Sequence, residues 1–359
     1  MMHTFVLSKA MPDLAAAEAL ALTNAKEFKL FGNVLIINLK NEKIIGKLAE
    51  RLAYTNYVCS LLFESSYKDF IENMENFGWD KVYKGSFCVR VHKITQIKNS
   101  SIKKINKNYN IKNPEIDKLY PEKELASFVW RKVKNPKVDL ENPKTRIDIF
   151  FAEKRIYCCL LLKKVDEYYE SRRSHLRPMP SPISLHPRLA KAMVNLTGAG
   201  EGEIILDPFC GSGGILIEAG LMGLRTEGFD ISRKMIWKSM VNLRHYGIKD
   251  CKLGAKDFFK IKKKYRYIVA DFPYGLNTAI MGNVRVTKSN RKQIKQYLDK
   301  FYSGIIKKLE KILLKKAVVI FPSYFNYNKF IKKSKLKLIN EFDSYVHGNL
   351  TRKIVVLEK

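Results

Sequence analysis

The chain has 359 residues, of which 66 are Lys or Arg and 35 are Asp or Glu, so its formal net charge is +31. A charge of this size favours a polyanionic partner, such as nucleic acid or an anionic membrane surface. Hydrophobic residues make up 46% of the chain, which excludes global disorder, and the length predicts two or three domains. The longest apolar runs, at 156–162 and 317–321, fall far short of the roughly 20 residues of a membrane-spanning helix, so we expect no membrane insertion.

Six cysteines occur, and none of them forms a CxxC pair. This spacing predicts reduced thiols in a cytosolic protein, with no structural zinc. Cys210 lies in a glycine-rich segment, but no partnered base accompanies it in the sequence, so we expect it to pack rather than to act as a nucleophile.

The first 165 residues predict a mixed α+β region. Strand patterns occur at 4–7, 33–39, 86–94, 146–151 and 155–162, and helical patterns at 14–22 and 44–54. A low-complexity segment rich in Lys, Asn and Ile at 98–113 interrupts the second half of this region. We expect two domains here, at 1–60 and 61–165.

A proline-rich segment at 166–186 predicts a linker, because proline stops helices and stiffens the path of the chain. Beyond it, strand and helix patterns alternate to the end. The strands are predicted at 204–206, 226–229, 267–270, 317–321, 337–346 and 353–357, and the helices at 187–197, 213–222, 232–246, 290–314 and 325–334. This alternation, with a terminal hairpin, predicts a doubly wound α/β sheet over 187–359.

Acids stand directly after the strands at 204–206 and 226–229, and a third acid stands at 257, where a third strand that precedes the one at 267–270 should end. Asp207 opens the glycine-rich turn DPFCGSGG, which lacks both the third glycine of a dinucleotide fingerprint and the GK[ST] of a Walker loop. Asp230 could accept hydrogen bonds from the ribose hydroxyls of an adenosine-type cofactor, and Asp257 could hold an adenine amino group. Each motif also has a purely structural interpretation. The segment after Asp207 could be only a tight turn, Asp230 could be a helix cap, and Asp257 could be a surface carboxylate.

The fourth strand ends in Asp-Phe-Pro-Tyr at 271–274. An exocyclic amine must free its lone pair from ring conjugation before it can accept a methyl group. The Asp271 carboxylate and the Pro273 carbonyl would accept the two amine hydrogens, and Tyr274 offers a flat face to a flipped base. Asp271 could also take the departing proton. The alternative is that Asp271 and Pro273 serve only to form a turn at the end of the strand. The three motifs that precede this segment argue against that alternative.

The series DPFCGSGG, GFD, KDF and DFPYG resembles class I S-adenosylmethionine-dependent methyltransferases of the amino-methylating branch. With SLHPRLAKAMVNLTGAG, it resembles archaeal tRNA methyltransferases that modify N2 of guanosine 10, and VDLENP at 138–143 resembles the THUMP RNA-binding domain. The resemblance implies a Rossmann-like methyltransferase domain with a seven-stranded sheet at 187–359. It also implies a ferredoxin-like domain at 1–60, a THUMP domain at 61–165 and a linker at 166–186. One departure is Phe272, which stands where the family usually has the first of two prolines; we expect activity to survive because Pro273, at the second position, is kept.

The resemblance also implies site residues. Catalytic roles fall to Asp271, Pro273 and Tyr274. Cofactor contacts fall to Asp207, Pro208, Gly211, Gly213, Asp230, Ile231, Asp257 and Phe258. The cofactor is S-adenosylmethionine and no metal is implied, because the sulfonium already activates the methyl group and alignment supplies most of the catalysis.

The implied partner is tRNA, joined in some members by a small activator subunit. A base inside a tRNA arm must be flipped out, which requires a grip on the surrounding phosphates. Candidate grip residues are Arg131, Lys132, Lys137, Lys144, Arg146, Arg172, Arg173 and Arg177. For any single one of them, a solvated surface charge is the simpler interpretation.

The predicted function is therefore cytoplasmic methyl transfer to N2 of guanosine 10 in tRNA, giving mono- and then dimethylguanosine. Three alternatives stay open: the same chemistry at another tRNA position such as guanosine 6, a DNA amino-methyltransferase, and a non-catalytic RNA-binding protein. The THUMP-like segment argues against DNA, and the intact motif acids argue against loss of catalysis.

Overall fold

The computed structural model describes residues 1–39, 42–94, 120–152, 154–165, 168–182, 184–273, 291–347 and 350–359. The Lys- and Asn-rich segment at 98–113 and the predicted catalytic residue Tyr274 lie outside these ranges. The chain divides into two units, Met1–Asp166 and Glu167–Lys359.

The N-terminal unit is built on one sheet. Its strands are β1 (Met2–Leu7), β2 (Phe28–Phe31), β3 (Val34–Asn38), β4 (Thr55–Ser65), β5 (Phe87–Lys93), β6 (Thr145–Phe151) and β7 (Ile156–Lys164). Its helices are α1 (Pro12–Thr23), α2 (Ile45–Arg51), α3 (Phe70–Asn76) and α4 (Glu122–Lys132). The strand order is β2-β3-β1-β4-β7-β6-β5. Neighbouring strands are antiparallel except for the parallel pair β5 and β6.

Strand β4 lies in the middle of this sheet, where it pairs with β1 on one side and with β7 on the other. The sequence patterns miss it because its buried positions do not alternate regularly. The boundary predicted between residues 60 and 61 falls inside β4. The structure therefore does not separate the two predicted N-terminal domains.

A buried carboxylate joins α1 to the segment that follows α2. Glu18 accepts hydrogen bonds from the backbone amides of Ala53 and Tyr54, both at 2.8 Å. These bonds satisfy a side chain that is fully buried, which is what allows an acid to sit inside this helix packing.

The C-terminal unit alternates helix and strand. Its strands are β8 (Ile204–Asp207), β9 (Arg225–Asp230), β10 (Cys251–Ala255), β11 (Tyr265–Asp271), β12 (Leu313–Pro322), β13 (Lys337–His347) and β14 (Leu350–Glu358). Its helices are α5 (Pro187–Leu196), α6 (Gly214–Leu221), α7 (Arg233–His245), α8 (Arg291–Ile312) and α9 (Asn328–Ile331).

These strands form a seven-stranded sheet in the order β10-β9-β8-β11-β12-β14-β13. Strands β8 to β12 are parallel, and β14 runs antiparallel to both β12 and β13. The order reverses between β8 and β11, and open α/β sheets bind ligands beside the carboxyl ends of strands at such a point. The predicted class I methyltransferase fold is confirmed.

The segment predicted as a linker packs on the C-terminal unit. The Met179 amide donates to the Asn242 side-chain oxygen at 2.9 Å, and the Asn242 side-chain nitrogen donates back to the Met179 carbonyl at 3.0 Å. His186 caps α5 by accepting a hydrogen bond from the Arg188 amide at 3.2 Å. Residues 168–186, as far as they are described, are thus fixed against α5, α6 and α7 rather than extended between two units.

All six cysteines are free thiols, and five of them are buried. No cluster of three or more His, Cys, Asp or Glu side chains suited to a metal ion occurs within the described ranges. No helix in the described part of the chain has the length and apolar character needed to cross a bilayer.

Candidate active site

The first element of the site is the acid that ends β8. Asp207 is 2% exposed, and its carboxylate accepts a hydrogen bond from the Phe209 amide at 3.1 Å. Burial raises the pKa of Asp207 well above its usual range, and the nearby carboxylates of Asp271 and Asp230 raise it further, against the effect of the Phe209 amide. A cation placed here would relieve the cost of this buried charge.

The turn after Asp207 brings bare backbone to the edge of the sheet. Gly211 has φ +50° and Gly213 has φ +89°, in the left-handed region that side-chain-bearing residues rarely adopt. A Cβ at Gly213 would also lie 2.6 Å from the Ser239 hydroxyl oxygen. Pro208 is buried at the start of the turn. The turn therefore leads into α6 without side chains at its two tightest positions, as a close backbone approach to a ligand requires.

Asp230, at the end of β9, connects the turn to α7. Its carboxylate accepts from the Gly211 amide at 3.1 Å and from the Ser232 amide at 2.8 Å. Ser232, not Asp230, caps α7, by accepting from the Met235 amide. Because a carboxylate offers about four acceptor positions, Asp230 retains capacity for hydroxyl donors. Ile231 beside it is 72% exposed, so an apolar side chain stands uncovered at this edge.

The segment after β10 supplies the next acid. The Asp257 carboxylate accepts from the Phe259 amide at 2.9 Å, which starts the short 3-10 helix Phe258–Lys260. Phe258 is buried and its ring packs against Phe209, with 5.2 Å between the ring centroids. The side chain of Phe258 thus belongs to the core.

The turn after β11 is anchored by aromatic packing. Phe272 is 1% exposed, and its ring contacts Phe209 and Phe321 at centroid distances of 5.4 and 5.2 Å. Phe272, which stands where the family usually has a proline, thus fills the core below the turn with its side chain. The next residue, Pro273, accepts a hydrogen bond on its carbonyl oxygen from the Tyr302 hydroxyl at 2.8 Å.

The structure brings together three acids that the sequence analysis singled out. Asp230, Asp207 and Asp271 end three adjacent parallel strands, and both Asp230 and Asp271 act electrostatically on Asp207. Asp257 follows the neighbouring strand β10. Tyr274, the remaining predicted catalytic residue, lies outside the described ranges.

The predicted RNA-binding cations fall into two groups. Side chains exposed to solvent belong to Arg131, Lys132, Lys137, Lys144 and Arg173. Arg146 instead makes a two-pronged hydrogen bond to the fully buried Asp148, at 3.0 and 2.7 Å. Arg172 does the same to the buried Glu218, at 2.9 and 3.0 Å. Each of these two arginines compensates an internal carboxylate, which gives it a structural role.

Arg177 does not fit its predicted role as a phosphate contact. It is 3% exposed and donates to the Arg172 carbonyl and the Ser184 hydroxyl, both at 3.1 Å. A Cβ on Gly214 would lie 2.8 Å from the Ser184 hydroxyl and 3.3 Å from the Arg177 guanidinium. The prediction was wrong because Arg177 packs behind the first residue of α6, where RNA cannot reach it.

The sequence patterns missed Tyr302 as part of the site. Tyr302 lies in α8, 29 residues beyond the Pro273 carbonyl that it contacts. It is one of several apolar residues on the buried face of an amphipathic helix, so periodicity marks it as core. Only the packing of α8 against the end of β11 shows that its hydroxyl reaches the turn.

Comparisons with known proteins agree with this geometry. A family model described as an RMKL-like methyltransferase domain matches residues 174–354. A model described as a DNA methylase matches residues 43–239, which end before β11 and Asp271. The crystal structure of TrmN from Thermus thermophilus superposes with a TM-score of 0.51 at 18% identity, covering 100% of both chains, and shares the fold.

Two archaeal relatives are named tRNA (guanine(10)-N2)-dimethyltransferase. The one from Methanothermobacter thermautotrophicus is 31% identical over 315 residues, covering 87% of this chain and 84% of the relative. The one from Pyrococcus abyssi is 29% identical over 356 residues, covering 97% of each chain. The chain therefore belongs to the RMKL-like methyltransferase family, in the group of the archaeal tRNA (guanine(10)-N2)-dimethyltransferases.

Proposed function

We propose that this chain transfers methyl groups from S-adenosylmethionine to the N2 amine of guanosine 10 in tRNA, giving mono- and then dimethylguanosine. The observation that carries the proposal is the meeting of Asp207, Asp230 and Asp271 at the carboxyl ends of adjacent strands. The substrate in this proposal is taken from the names of the archaeal relatives.

The residues at this edge fit S-adenosylmethionine. Asp207 is a buried carboxylate among other carboxylates, which suits a ligand carrying positive charge. In this proposal the bare backbone of the turn at Gly211 and Gly213 would face the methionine part. Asp230, which keeps acceptor capacity, would hold the ribose hydroxyls, and Asp257 would accept from the adenine amine. When bound, this cofactor supplies a methyl group that its sulfonium has already activated.

On the substrate side, the chain has to orient an amine and remove a proton. The Asp271 carboxylate and the Pro273 carbonyl would accept the two hydrogens of the guanine N2 amine, so that its lone pair leaves ring conjugation. Asp271 then takes the proton lost during transfer. Stacking of the base on Tyr274 is part of the proposal.

The tRNA contacts are assigned to exposed cations of both units. They are Arg131, Lys132, Lys137 and Lys144 in the N-terminal unit and Arg173 in the C-terminal unit. The proposal gives the N-terminal unit the THUMP role of holding tRNA, and it places the reaction in the cytoplasm with its substrate. The proposal also includes a small activator subunit. Methyl transfer by the purified chain alone would show that no such subunit is required.

The test uses labelled S-adenosylmethionine and unmodified tRNA transcripts, with nuclease mapping of the product. We expect label at position 10. The matched control is the same transcript with inosine at position 10, which differs only by the missing N2 amine and should take no label. Label in the inosine transcript, or label at guanosine 6 alone, would contradict the position-10 assignment. Label in duplex DNA but not in tRNA would favour a DNA methyltransferase.

A further inference from the structure

The glycine-rich turn at 208–213, here called the cofactor turn, is held from behind by a side chain of α7. Asn242 is fully buried, and its side-chain nitrogen donates to the Ser212 carbonyl at 2.9 Å. Ser212 lies between Gly211 and Gly213, the two residues of the turn with positive φ. The middle of the turn is therefore fixed by a residue that follows it by 30 positions in the chain.

The peptide group between Ser212 and Gly213 is held at both ends. Its carbonyl oxygen accepts the bond from α7, and its N–H, which belongs to Gly213, donates to the Cys210 carbonyl at 2.8 Å. Gly211 is fixed separately, by the bond from its amide to the Asp230 carboxylate. Because glycine has more backbone freedom than any other residue, a turn with two glycines depends on such bonds to keep one conformation.

The same side chain also joins the cofactor turn to the segment before α5. Asn242 accepts from the Met179 amide at 2.9 Å and donates to the Met179 carbonyl at 3.0 Å. With the bond to Ser212, both N–H donors and the oxygen of this amide are used. One helical turn earlier, the Lys238 ammonium donates to the Pro180 carbonyl at 3.1 Å. Helix α7 thus binds the cofactor turn and the preceding segment together.

We propose that Asn242 is a positioning residue for the cofactor, which holds the backbone of the cofactor turn in the conformation that accepts the methionine part of S-adenosylmethionine. This role rests on the proposed function, which places the methionine part at Gly211 and Gly213. Asn242 acts through Ser212, because it is fully buried behind the turn. A ligand that binds preformed backbone does not bear the cost of ordering it, so loss of these bonds lowers the affinity for the cofactor.

The experiment compares Asn242→Asp with Glu218→Gln in the full chain. Asn242→Asp keeps the size of the side chain but replaces the nitrogen that donates to the two carbonyls. Glu218→Gln is the matched control, because Glu218 is also buried and also fixes the segment before α5, through Arg172 at 2.9 and 3.0 Å. Isothermal titration should show the Kd for S-adenosylmethionine raised about ten-fold in Asn242→Asp, the equivalent of one hydrogen bond, and within about two-fold of wild type in Glu218→Gln.

A second ligand locates the effect within the site. 5′-Methylthioadenosine has the adenine and the ribose of the cofactor but lacks its amino-acid part. Its Kd should stay within about two-fold of wild type in Asn242→Asp, because Asp230 is still fixed by the Gly211 and Ser232 amides. Asn242→Ser keeps one hydroxyl donor and should raise the Kd for S-adenosylmethionine about three-fold. This variant decides the test if the buried carboxyl group of Asn242→Asp prevents folding.

The outcomes separate a positioning role from a structural one. A structural role would lower the free energy of unfolding, measured in urea without ligand, and would leave the Kd for S-adenosylmethionine at its wild-type value. That result, an equal rise in Glu218→Gln, or an equal rise for 5′-methylthioadenosine overturns the role of Asn242. If the wild-type chain binds S-adenosylmethionine but labels no tRNA, the proposed substrate fails and the role of Asn242 is still decided by titration. If the wild-type chain binds no S-adenosylmethionine, both fail.

Discussion

Each unit of the chain contains a buried aspartate, and the two have opposite surroundings. Asp148 in β6 accepts hydrogen bonds from the Arg146 guanidinium and lies 2.6 Å from the His92 ring nitrogen. Asp207 at the end of β8 has carboxylates as its charged neighbours, from Asp230 and Asp271. The first acid is compensated by the fold, whereas the second is left with a raised pKa in a place where a ligand can reach the edge of the sheet.

This contrast separates a structural acid from a functional one. A buried carboxylate with its own cations stabilises the unit only as long as both partners are present. A buried carboxylate among like charges costs free energy, and perturbed acids of this kind concentrate at functional sites. Substitutions at the two positions should therefore have different signatures, in stability for the first and in ligand binding for the second.

The largest expected effect is on catalysis, at Asp271, to which the proposed function assigns the orientation of the amine. Asp271→Ala should lower kcat by about 10² to 10⁴-fold, because it removes both an amine acceptor and the proton acceptor. Binding of tRNA should be unchanged. Labelled methyl transfer and a filter-binding assay measure the two, with Asp250→Ala at an exposed surface pair as the control. Wild-type turnover in Asp271→Ala would show that another group orients the amine.

Next in size is the loss of the structural pair. Arg146→Ala leaves the buried Asp148 with less compensation, and it should lower the free energy of unfolding by up to about 3 kcal/mol. Urea denaturation measures the change. In an Asp148→Asn background, the same Arg146→Ala substitution should cost much less, because no buried charge is left unpaired. Equal costs in both backgrounds would mean that Arg146 acts through something other than Asp148.

Asp207→Asn should show the opposite signature. The affinity for S-adenosylmethionine should fall roughly ten- to a hundred-fold, as for a lost charge-assisted bond. Stability should not fall with it, because the carboxylate is costly in the folded chain. Isothermal titration and thermal melting measure the two quantities.

The pH dependence of the stability tests the direction in which the pKa of Asp207 is shifted. Below the unfolded pKa of about 3.9 the side chain is protonated in both states and carries no penalty. As pH rises toward the raised folded pKa, the unfolded chain releases its proton first, so wild type loses stability relative to Asp207→Asn. Thermal melting between pH 4 and 8 should therefore show that the stability of Asp207→Asn, relative to wild type, increases as pH rises. A relative stability that decreases as pH rises would contradict the raised pKa.

The smallest effect concerns tRNA binding. Lys132→Ala combined with Lys137→Ala should reduce the slope of log affinity against log salt by about two, one for each phosphate contact. Lys29→Ala is the control, because Lys29 already pairs with Glu64 at 2.8 Å. An unchanged slope in the double variant would remove this surface from the tRNA interface.

Much of the candidate site was predictable from the sequence because its parts are local. Asp207, Asp230 and Asp271 each end a short strand, and the ends of parallel strands gather at one edge of a sheet. Strand β4 was not predictable in the same way, since its pattern depends on partners distant in the chain on both sides. Tyr302 was missed for the same reason, because its partner is fixed by helix packing.

By itself, the sequence determined the alternation of elements, the family and the positions of the site acids, since these are written in short segments. Only the tertiary structure decided which charged side chains are buried and which are exposed. Arg173 and Arg177 lie four residues apart in one basic segment, yet the Arg173 side chain is 45% exposed and Arg177 is 3% exposed. The difference arises because this segment packs against α6, which turns one arginine toward solvent and the other into the core, and no local pattern encodes that contact.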